Sequence, residues 1–193
     1  DDIRLVTSNG KKIYIILPAV CRDKTYNFLL SKLDLLGQSA ISGFVVKNYE
    51  ELGWCLDKFP DREIITDHNL YTYNDYAVNA YHELNISLDT MPLELNGREI
   101  ARRSNVDTEM IVYGYYPLMT SAQCVHRNSS KCDKCKQITY LKDRYNKLFP
   151  VKNMCNECYN VIYNTLPTML LNDIAGIKES KIHNLRLMFT VED

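Results

Sequence analysis

Short apolar runs alternate with amphipathic stretches along roughly the first 113 residues of the chain. Runs bounded by polar residues indicate buried strands, and apolar residues at helical spacing indicate helices. The first residues predict a β-hairpin of Ile3–Val6 and Lys12–Leu17 closed at Asn9-Gly10. The strands predicted after it are Ile41–Val46, Glu63–Thr66, Asn85–Leu88 and Met110–Tyr113, followed by loop Gly114–Met119. The predicted helices are Lys24–Leu36, Asn48–Leu56, Asn74–Leu84 and Gly97–Arg103, the last with a capping box of Asn96 and Glu99. Such alternation predicts an α/β fold with a parallel sheet.

The number of strand–helix units limits the architecture. A complete eight-unit barrel needs roughly 200–250 residues, and only about 120 are available before the alternation stops. The chain is therefore expected to form either a small open α/β sheet or a partial, half TIM-like barrel taken from a longer protein. We predict a partial barrel of βα units over residues 1–119 and a small Cys-rich module over residues 120–193.

Five cysteines crowd into the second region and define its candidate chemistry. They are Cys124, Cys132, Cys135, Cys155 and Cys158. Thiolates this close repel one another unless a metal ion, a cluster or disulfides neutralise them. The two Cys-x2-Cys pairs favour a structural zinc site, with an iron–sulfur cluster second, and zinc leaves Cys124 unexplained. A helix predicted over Asn156–Tyr163 would put Cys155 at a helix N-terminus, where a thiolate is stabilised.

The net charge of the chain changes from negative to positive near the start of the cysteine-rich region. The net charge of -1 combines -5 over residues 1–125 with +4 over residues 126–193, and eight of the basic residues lie between Arg127 and Lys152. Tyr140, Tyr145 and Phe149 interleave with them, which favours RNA, although a solvated basic face is the plainer interpretation. Long apolar segments and a signal peptide are absent from the sequence, so we expect a cytoplasmic protein without a membrane partner.

Polar side chains follow several predicted strands, where α/β proteins bind ligands. They are Asp67, His68, Asn69, Asp89, Glu94, Tyr115 and Tyr116. A lone residue at such a position is more often a helix cap than a catalyst. Sequence motifs of serine or zinc peptidases are absent.

The string Met110–Cys124, MIVYGYYPLMTSAQC, carries a resemblance to a known family. The accompanying motifs are Asp67-x-Asn69-Leu70, Pro92–Asn96, Leu141–Arg144, Phe149–Val151, Cys155-x2-Cys158-Tyr159-Asn160 and Arg186–Thr190. Together they resemble the collagenase-like peptidase family, the thirty-second family of the class with unassigned catalytic type, over nearly the whole chain. Relatives commonly carry arginine after the glycine of the Gly-x-x-Pro-Leu-Met loop, where this chain has Tyr115.

The resemblance implies oxygen-independent hydroxylation of transfer RNA, ribosomal RNA or ubiquinone precursors, rather than established peptidase chemistry. It implies a four-iron cluster beside a TIM-like barrel, held by Cys124, Cys132, Cys155 and Cys158 with Cys135 as a spare; zinc is the alternative. Substrate contacts would fall to Asp67, Asn69, Glu94 and Tyr115, and RNA phosphates to Arg127, Lys131, Lys142 and Arg144. A prephenate-like metabolite is a further expected ligand.

The same resemblance leaves other readings open. The family barrel normally has an earlier half, so we expect partners that complete it, either other barrel segments or a second copy of the chain. A collagenase-like peptidase and a non-catalytic, zinc-stapled binding module are the alternative functions. Whether the chain is an active enzyme is left open by its sequence.

Overall fold

The structure, a computed structural model, describes residues 2–129, 132, 134 and 137–192. It divides into two compact units. The first contains the chain up to Met110 together with Ala175–Leu185, and the second contains Ile111–Ile174 together with the chain from Arg186 onward. The boundary predicted after residue 119 separates the chain by its chemistry and stays a prediction. Lys131 and Cys135 lie outside the described residues.

The first unit is built on a parallel sheet whose strands follow one another in chain order. Its strands are β1 (Tyr14–Ile16), β2 (Gly43–Val46), β3 (Glu63–Thr66), β4 (Leu88–Thr90) and β5 (Thr108–Gly114), the last of which continues into the second unit. Its helices are α1 (Asp2–Ser8), α2 (Asp23–Leu30), α3 (Leu33–Leu36), α4 (Tyr49–Lys58), α5 (Asp75–Glu83) and α6 (Gly97–Arg102). Parallel strands in sequential order with intervening helices form a half-barrel, so the predicted α/β half-barrel is confirmed.

The core of the first unit lies between this sheet and its helices. Phe44 and Val46 of β2 and Ile64 of β3 belong to one buried cluster with Trp54 of α4 and Phe59. The ring centroids of Phe44 and Phe59 are 4.7 Å apart, and those of Trp54 and Phe59 are 5.4 Å apart. Aromatic rings at these separations fill the space between a strand and the helix that follows it.

Asparagine side chains begin three helices of this unit. Asn48, Asn74 and Asn96 accept backbone N–H groups in the first turns of α4, α5 and α6. The predicted capping box of Asn96 and Glu99 is confirmed, because each side chain bonds the other's backbone N–H. Among the described residues no helix is long and apolar enough to cross a membrane.

The predicted N-terminal hairpin is wrong. Ile3–Val6 lies within α1, and β1 pairs in parallel with β2 instead of antiparallel with an earlier strand. Asn9-Gly10 ends the helix: Gly10 has φ of +68° and its N–H donates to the Thr7 carbonyl at 2.9 Å. A glycine with positive φ suits a helix C-terminus as well as a hairpin turn, so the dipeptide alone did not decide between them.

The second unit contains a four-stranded antiparallel sheet in the order β6-β9-β8-β7. After the end of β5 come β6 (Pro117–Ser121), α7 (Val125–Ser129), β7 (Thr139–Lys142), β8 (Leu148–Met154), β9 (Tyr159–Tyr163) and β10 (Thr168–Met169). The chain then forms α8 (Ile174–Glu179), which belongs almost wholly to the first unit, and β11 (Asn184–Met188), which pairs with β5. Strand β10 pairs antiparallel with the last residues of β5.

Two predictions in this unit are corrected. The predicted helix Asn156–Tyr163 contains β9, because Tyr159, Val161 and Tyr163 alternate onto a buried face with the period of a strand. The predicted loop Gly114–Met119 includes the first residues of β6, which pairs with β9. In β9 the aromatic and β-branched side chains favour a strand, whereas the first residues of β6 join a strand through their pairing with β9.

Candidate functional site

A buried polar cluster lies at the carboxyl ends of β2 and β3. Lys47 follows β2 and Asp67 follows β3, and the Asp67 N–H donates to the Val46 carbonyl at 2.8 Å. Lys47 Nζ lies 3.5 Å from Asp67 Oδ2, with the aspartate side chain only 2% exposed. Asp67 Oδ1 also accepts the backbone N–H of His68 at 3.0 Å. Asp67 is therefore a buried, ion-paired residue at the predicted binding end of the sheet.

Glu51 of α4 completes this cluster, which we name the Glu51–Lys47–Asp67 cluster. Its Oε2 accepts the backbone N–H of Lys47 at 2.8 Å, and its Oε1 has no hydrogen-bond partner among the described residues. Burial raises the pKa of Glu51 to about 7, and nearby Asp67 pushes in the same direction. A carboxyl group with this pKa can hold or release a proton near neutral pH. Sequence analysis missed Glu51, because an acid in the first turn of a helix is an ordinary finding.

Asn69 and Glu94 occupy different surroundings. Asn69 lies on the short 3-10 helix His68–Leu70 that Asp67 caps, and its buried Oδ1 has no partner in the described part of the chain. Glu94 is exposed. The pKa of Tyr73 is raised first by desolvation and second by the negative charge of Glu94. The Tyr73 ring stacks on Tyr71 with centroids 5.5 Å apart and planes 7° apart. Glu94 is thus placed with this tyrosine pair.

Asp89, another strand-end residue, belongs to a buried structural network. Its carboxylate pairs with the guanidinium of Arg103 and accepts hydroxyl hydrogen bonds from Thr72 at 2.5 Å and Thr108 at 2.7 Å. Arg103 Nε donates to the Thr72 carbonyl at 2.6 Å. Because every oxygen of Asp89 is engaged inside the first unit, its role is to join β4 and β5 to the neighbouring loops.

Tyr115 is placed in the second unit, after the end of β5. Its side chain is partly buried, and the neighbouring Tyr116 hydroxyl donates to the Ile111 carbonyl at 3.1 Å. Asp67, Asn69 and Glu94 belong to the first unit. The four predicted substrate-binding residues therefore come from both units.

The cysteines lie in turns and loops of the second unit. Cys124 precedes α7, and the backbone N–H of Arg127 approaches its Sγ at 3.5 Å. Cys155 and Cys158 flank a tight turn between β8 and β9, in which the Glu157 N–H donates to the Met154 carbonyl and Cys158 has φ of 52°. The prediction of a helix N-terminus at Cys155 is therefore wrong.

Strand register brings the cysteine-bearing segments to one edge of the antiparallel sheet, which we name the cysteine edge. Ser121 at the end of β6 pairs with Asn160 near the start of β9, and Met154 at the end of β8 pairs with Tyr159. Strand β7 starts at the same edge, since Thr139 pairs with Val151. The segments with Cys124, Cys155 and Cys158 adjoin these strand ends, and Cys132 precedes β7 by seven residues in the chain.

The described side chains do not complete a metal site by themselves. Across residues 2–129, 132, 134 and 137–192, no three His, Cys, Asp or Glu side chains lie close enough together to hold a metal ion. Cys132 and Cys158 are exposed, and Cys124 and Cys155 are partly buried. Thiols are soft donors that suit zinc or iron–sulfur clusters, so the donor chemistry fits even though the described geometry is open.

The predicted RNA-binding residues are spread along the sheet. Arg127 lies in α7 near the cysteine edge, whereas Lys142 ends β7 at the opposite edge, ~20 Å away by the length of β8. The Arg144 guanidinium carbon lies 4.7 Å from the ring centroid of Tyr145. Asp143 accepts the backbone N–H groups of Tyr145 and Lys147, each at 2.8 Å, and so shapes the turn that presents Arg144.

Comparison with known proteins gives one match. The family model described as peptidase family U32 matches residues 2–187 of the chain. Neither the curated proteins nor the solved structures contain a match.

Proposed function

Because the chain belongs to peptidase family U32, we propose that it is an iron–sulfur protein of oxygen-independent RNA hydroxylation, acting on transfer or ribosomal RNA in the cytoplasm. The observation that carries this proposal is the cysteine edge. Three of its thiols adjoin the paired ends of β6, β8 and β9, and the segment with Cys132 leads into β7.

The cysteines would hold the cluster as four thiolate ligands. Cys124, Cys132, Cys155 and Cys158 are the proposed set, with Cys135 as a spare. When bound, such a cluster supplies one-electron redox chemistry. The chain adds the backbone N–H of Arg127, which lies near Cys124 Sγ and stabilises a thiolate there.

The Glu51–Lys47–Asp67 cluster would take part in binding the small molecule. Lys47 pairs with Asp67, so the cluster offers polar hydrogen-bonding groups to a prephenate-like ligand rather than a free positive charge. Glu51 can hold a proton near neutral pH because burial raises its pKa to about 7. Asn69 and Glu94 in the first unit, and Tyr115 in the second, each remain candidate substrate-binding residues.

RNA would contact the basic residues of the second unit. Arg127, Lys142 and Arg144 are exposed, and Lys131 is a further candidate by sequence. The exposed Tyr145 ring beside Arg144 offers a surface on which an unpaired base can stack. Contacts spread over ~20 Å would span several nucleotides of a single strand.

The half-barrel would be completed by another segment. Strand β1 stands at the end of the sheet order, which leaves its outer edge for pairing. We propose that the remaining barrel segments, or a second copy of the chain, cover this edge. A monodisperse monomer in solution scattering would refute pairing between copies.

The cluster is tested by anaerobic purification followed by analysis of iron, sulfide and zinc. We expect iron and sulfide near roughly four per chain, with broad visible absorption. Cys158→Ser should lose both the absorption and RNA modification, whereas Cys21→Ala, outside the cysteine edge, should keep them. RNA modification that survives without the cluster would refute its role.

A zinc-stapled binding module is the second candidate, and the tight Cys155–Cys158 turn favours it. A Cys-x2-Cys turn between two strands, with positive φ at Cys158, presents two thiolates as zinc ribbons do. About one zinc per chain, with no iron or sulfide, would establish this alternative. Hydrolysis of gelatin that a point mutation removes would instead support a collagenase-like peptidase.

A further inference from the structure

Asn160 is fully buried in β9 and bonds the segment that leads to Cys124. Its Nδ2 donates to the Gln123 carbonyl at 2.8 Å and to the Ser121 carbonyl at 3.3 Å. The side chain is 0% exposed. One amide group therefore bonds both the last residue of β6 and the residue directly before Cys124.

The same residue lies two positions after Cys158. Its backbone pairs with Ser121 across β6 and β9 and with Asn153 across β8 and β9. A displacement of Asn160 would thus change the distance between the Cys124 segment and the Cys155–Cys158 turn. Backbone pairing between β6 and β9 ends at Ser121, and beyond that residue the side chain of Asn160 bonds the carbonyl of Gln123, next to Cys124.

We propose that Asn160 is a positioning residue that holds Cys124 within reach of the metal bound by the Cys155–Cys158 turn. This inference rests on the metal site of the proposed function, but not on whether iron or zinc fills it. Buried groups that orient ligands commonly change metal affinity by about 10- to 100-fold when they are mutated. The loss should concern Cys124 and leave Cys155 and Cys158 as ligands.

The test uses the metal-free protein and Co²⁺ as the probe, with cysteine alkylation read by mass spectrometry. In the unaltered protein, Co²⁺ should protect Cys124, Cys155 and Cys158 from alkylation. In Asn160→Asp, which keeps the side-chain size but removes the Nδ2 donor, Cys124 should lose protection while the other two keep it. Cobalt affinity should fall about 10- to 100-fold.

Asn153→Ala is the matched control, because Asn153 is a buried asparagine on the neighbouring strand, opposite Asn160. It should lower stability without removing protection from Cys124. A glycine inserted between Gln123 and Cys124 serves as a second variant that leaves Asn160 intact; it should also release Cys124. The proposal is overturned if Cys124 stays protected in Asn160→Asp, or if the control releases it equally.

Iron analysis of the unaltered protein separates this inference from the proposed function. Cobalt protection that depends on Asn160, in a protein that binds zinc and no iron, would retain the positioning role and refute the iron–sulfur proposal. Iron–sulfur absorption that is unchanged in Asn160→Asp would support the iron–sulfur proposal and refute the positioning role of Asn160. An unaltered protein in which Co²⁺ protects no cysteine would refute the positioning role.

Discussion

Replacing Glu51 with glutamine should stabilise the protein, and increasingly so as the pH rises. The carboxyl group is 3% exposed, and its Oε1 lacks a hydrogen-bond partner among the described residues. Glutamine has nearly the same shape and can still accept the Lys47 N–H through its carbonyl oxygen. The substitution therefore removes the buried charge and keeps the contact at the start of α4.

The magnitude follows from the pKa of Glu51 in the two states. Burial raises that pKa from an ordinary 4.5 to about 7 in the folded protein. Between these values the folded state holds a proton that the unfolded state has lost, so stability falls as pH rises. At 1.36 kcal/mol per pKa unit, the loss amounts to about 3 kcal/mol above pH 7 and vanishes below about pH 4.5.

Urea unfolding of both proteins between pH 5 and pH 8 measures this effect. The stability difference in favour of Glu51→Gln should grow across that range towards about 3 kcal/mol. Glu50→Gln removes the same charge from an exposed neighbour and should change stability by about 0.5 kcal/mol or less at either pH. A difference for Glu51→Gln that does not depend on pH would refute the reasoning.

Three further predictions concern single residues. Arg103→Met leaves Asp89 buried without its counter-charge and should lower the free energy of unfolding by about 3–5 kcal/mol in urea. Gly114→Ala places a Cβ against the Met188 carbonyl at φ of +146° and should cost about 1–3 kcal/mol, which thermal unfolding would show. Arg144→Ala should weaken RNA binding and reduce the slope of log affinity against log salt by about 1; an unchanged slope would exclude a phosphate contact.

The half-barrel could be predicted from sequence because burial and periodicity agree there. Strand β3 matches its predicted bounds Glu63–Thr66, and α5 begins one residue after Asn74, its predicted start. Strands β2 and β3 are short, largely apolar runs, and the next α-helix after each, α4 and α5, begins at a capping asparagine, which local signals describe well. The N-terminal hairpin failed because Asn9-Gly10 permits positive φ in two contexts, and only the pairing of β1 with β2 selects one.

The candidate site was less predictable because it depends on contacts between distant residues. Asp67 could be found from its place after a strand, but Glu51 could not, since its unusual surroundings arise from the Lys47 backbone and from burial. Asp89 looked equivalent to Asp67 in sequence. The structure separates them, because Arg103, fourteen residues later in the chain, fully pairs with Asp89.

The cysteines show how spacing and topology carry different information. Spacing alone suits two Cys-x2-Cys pairs and leaves Cys124 without a function. In the folded chain, Cys124 follows β6 and Cys158 precedes β9, and these two strands are direct neighbours, whereas β8 and β9 bring Cys155 and Cys158 together. Strand register therefore brings the segment before Cys124 next to the start of β9, which follows Cys158, and spacing along the chain could not show this. In a metal site that used the Cys155–Cys158 turn but excluded Cys124, the buried Asn160 contacts to the Cys124 loop would have no role in ligation. The alkylation pattern of Cys124 therefore decides between a ligand set that includes Cys124 and one that excludes it.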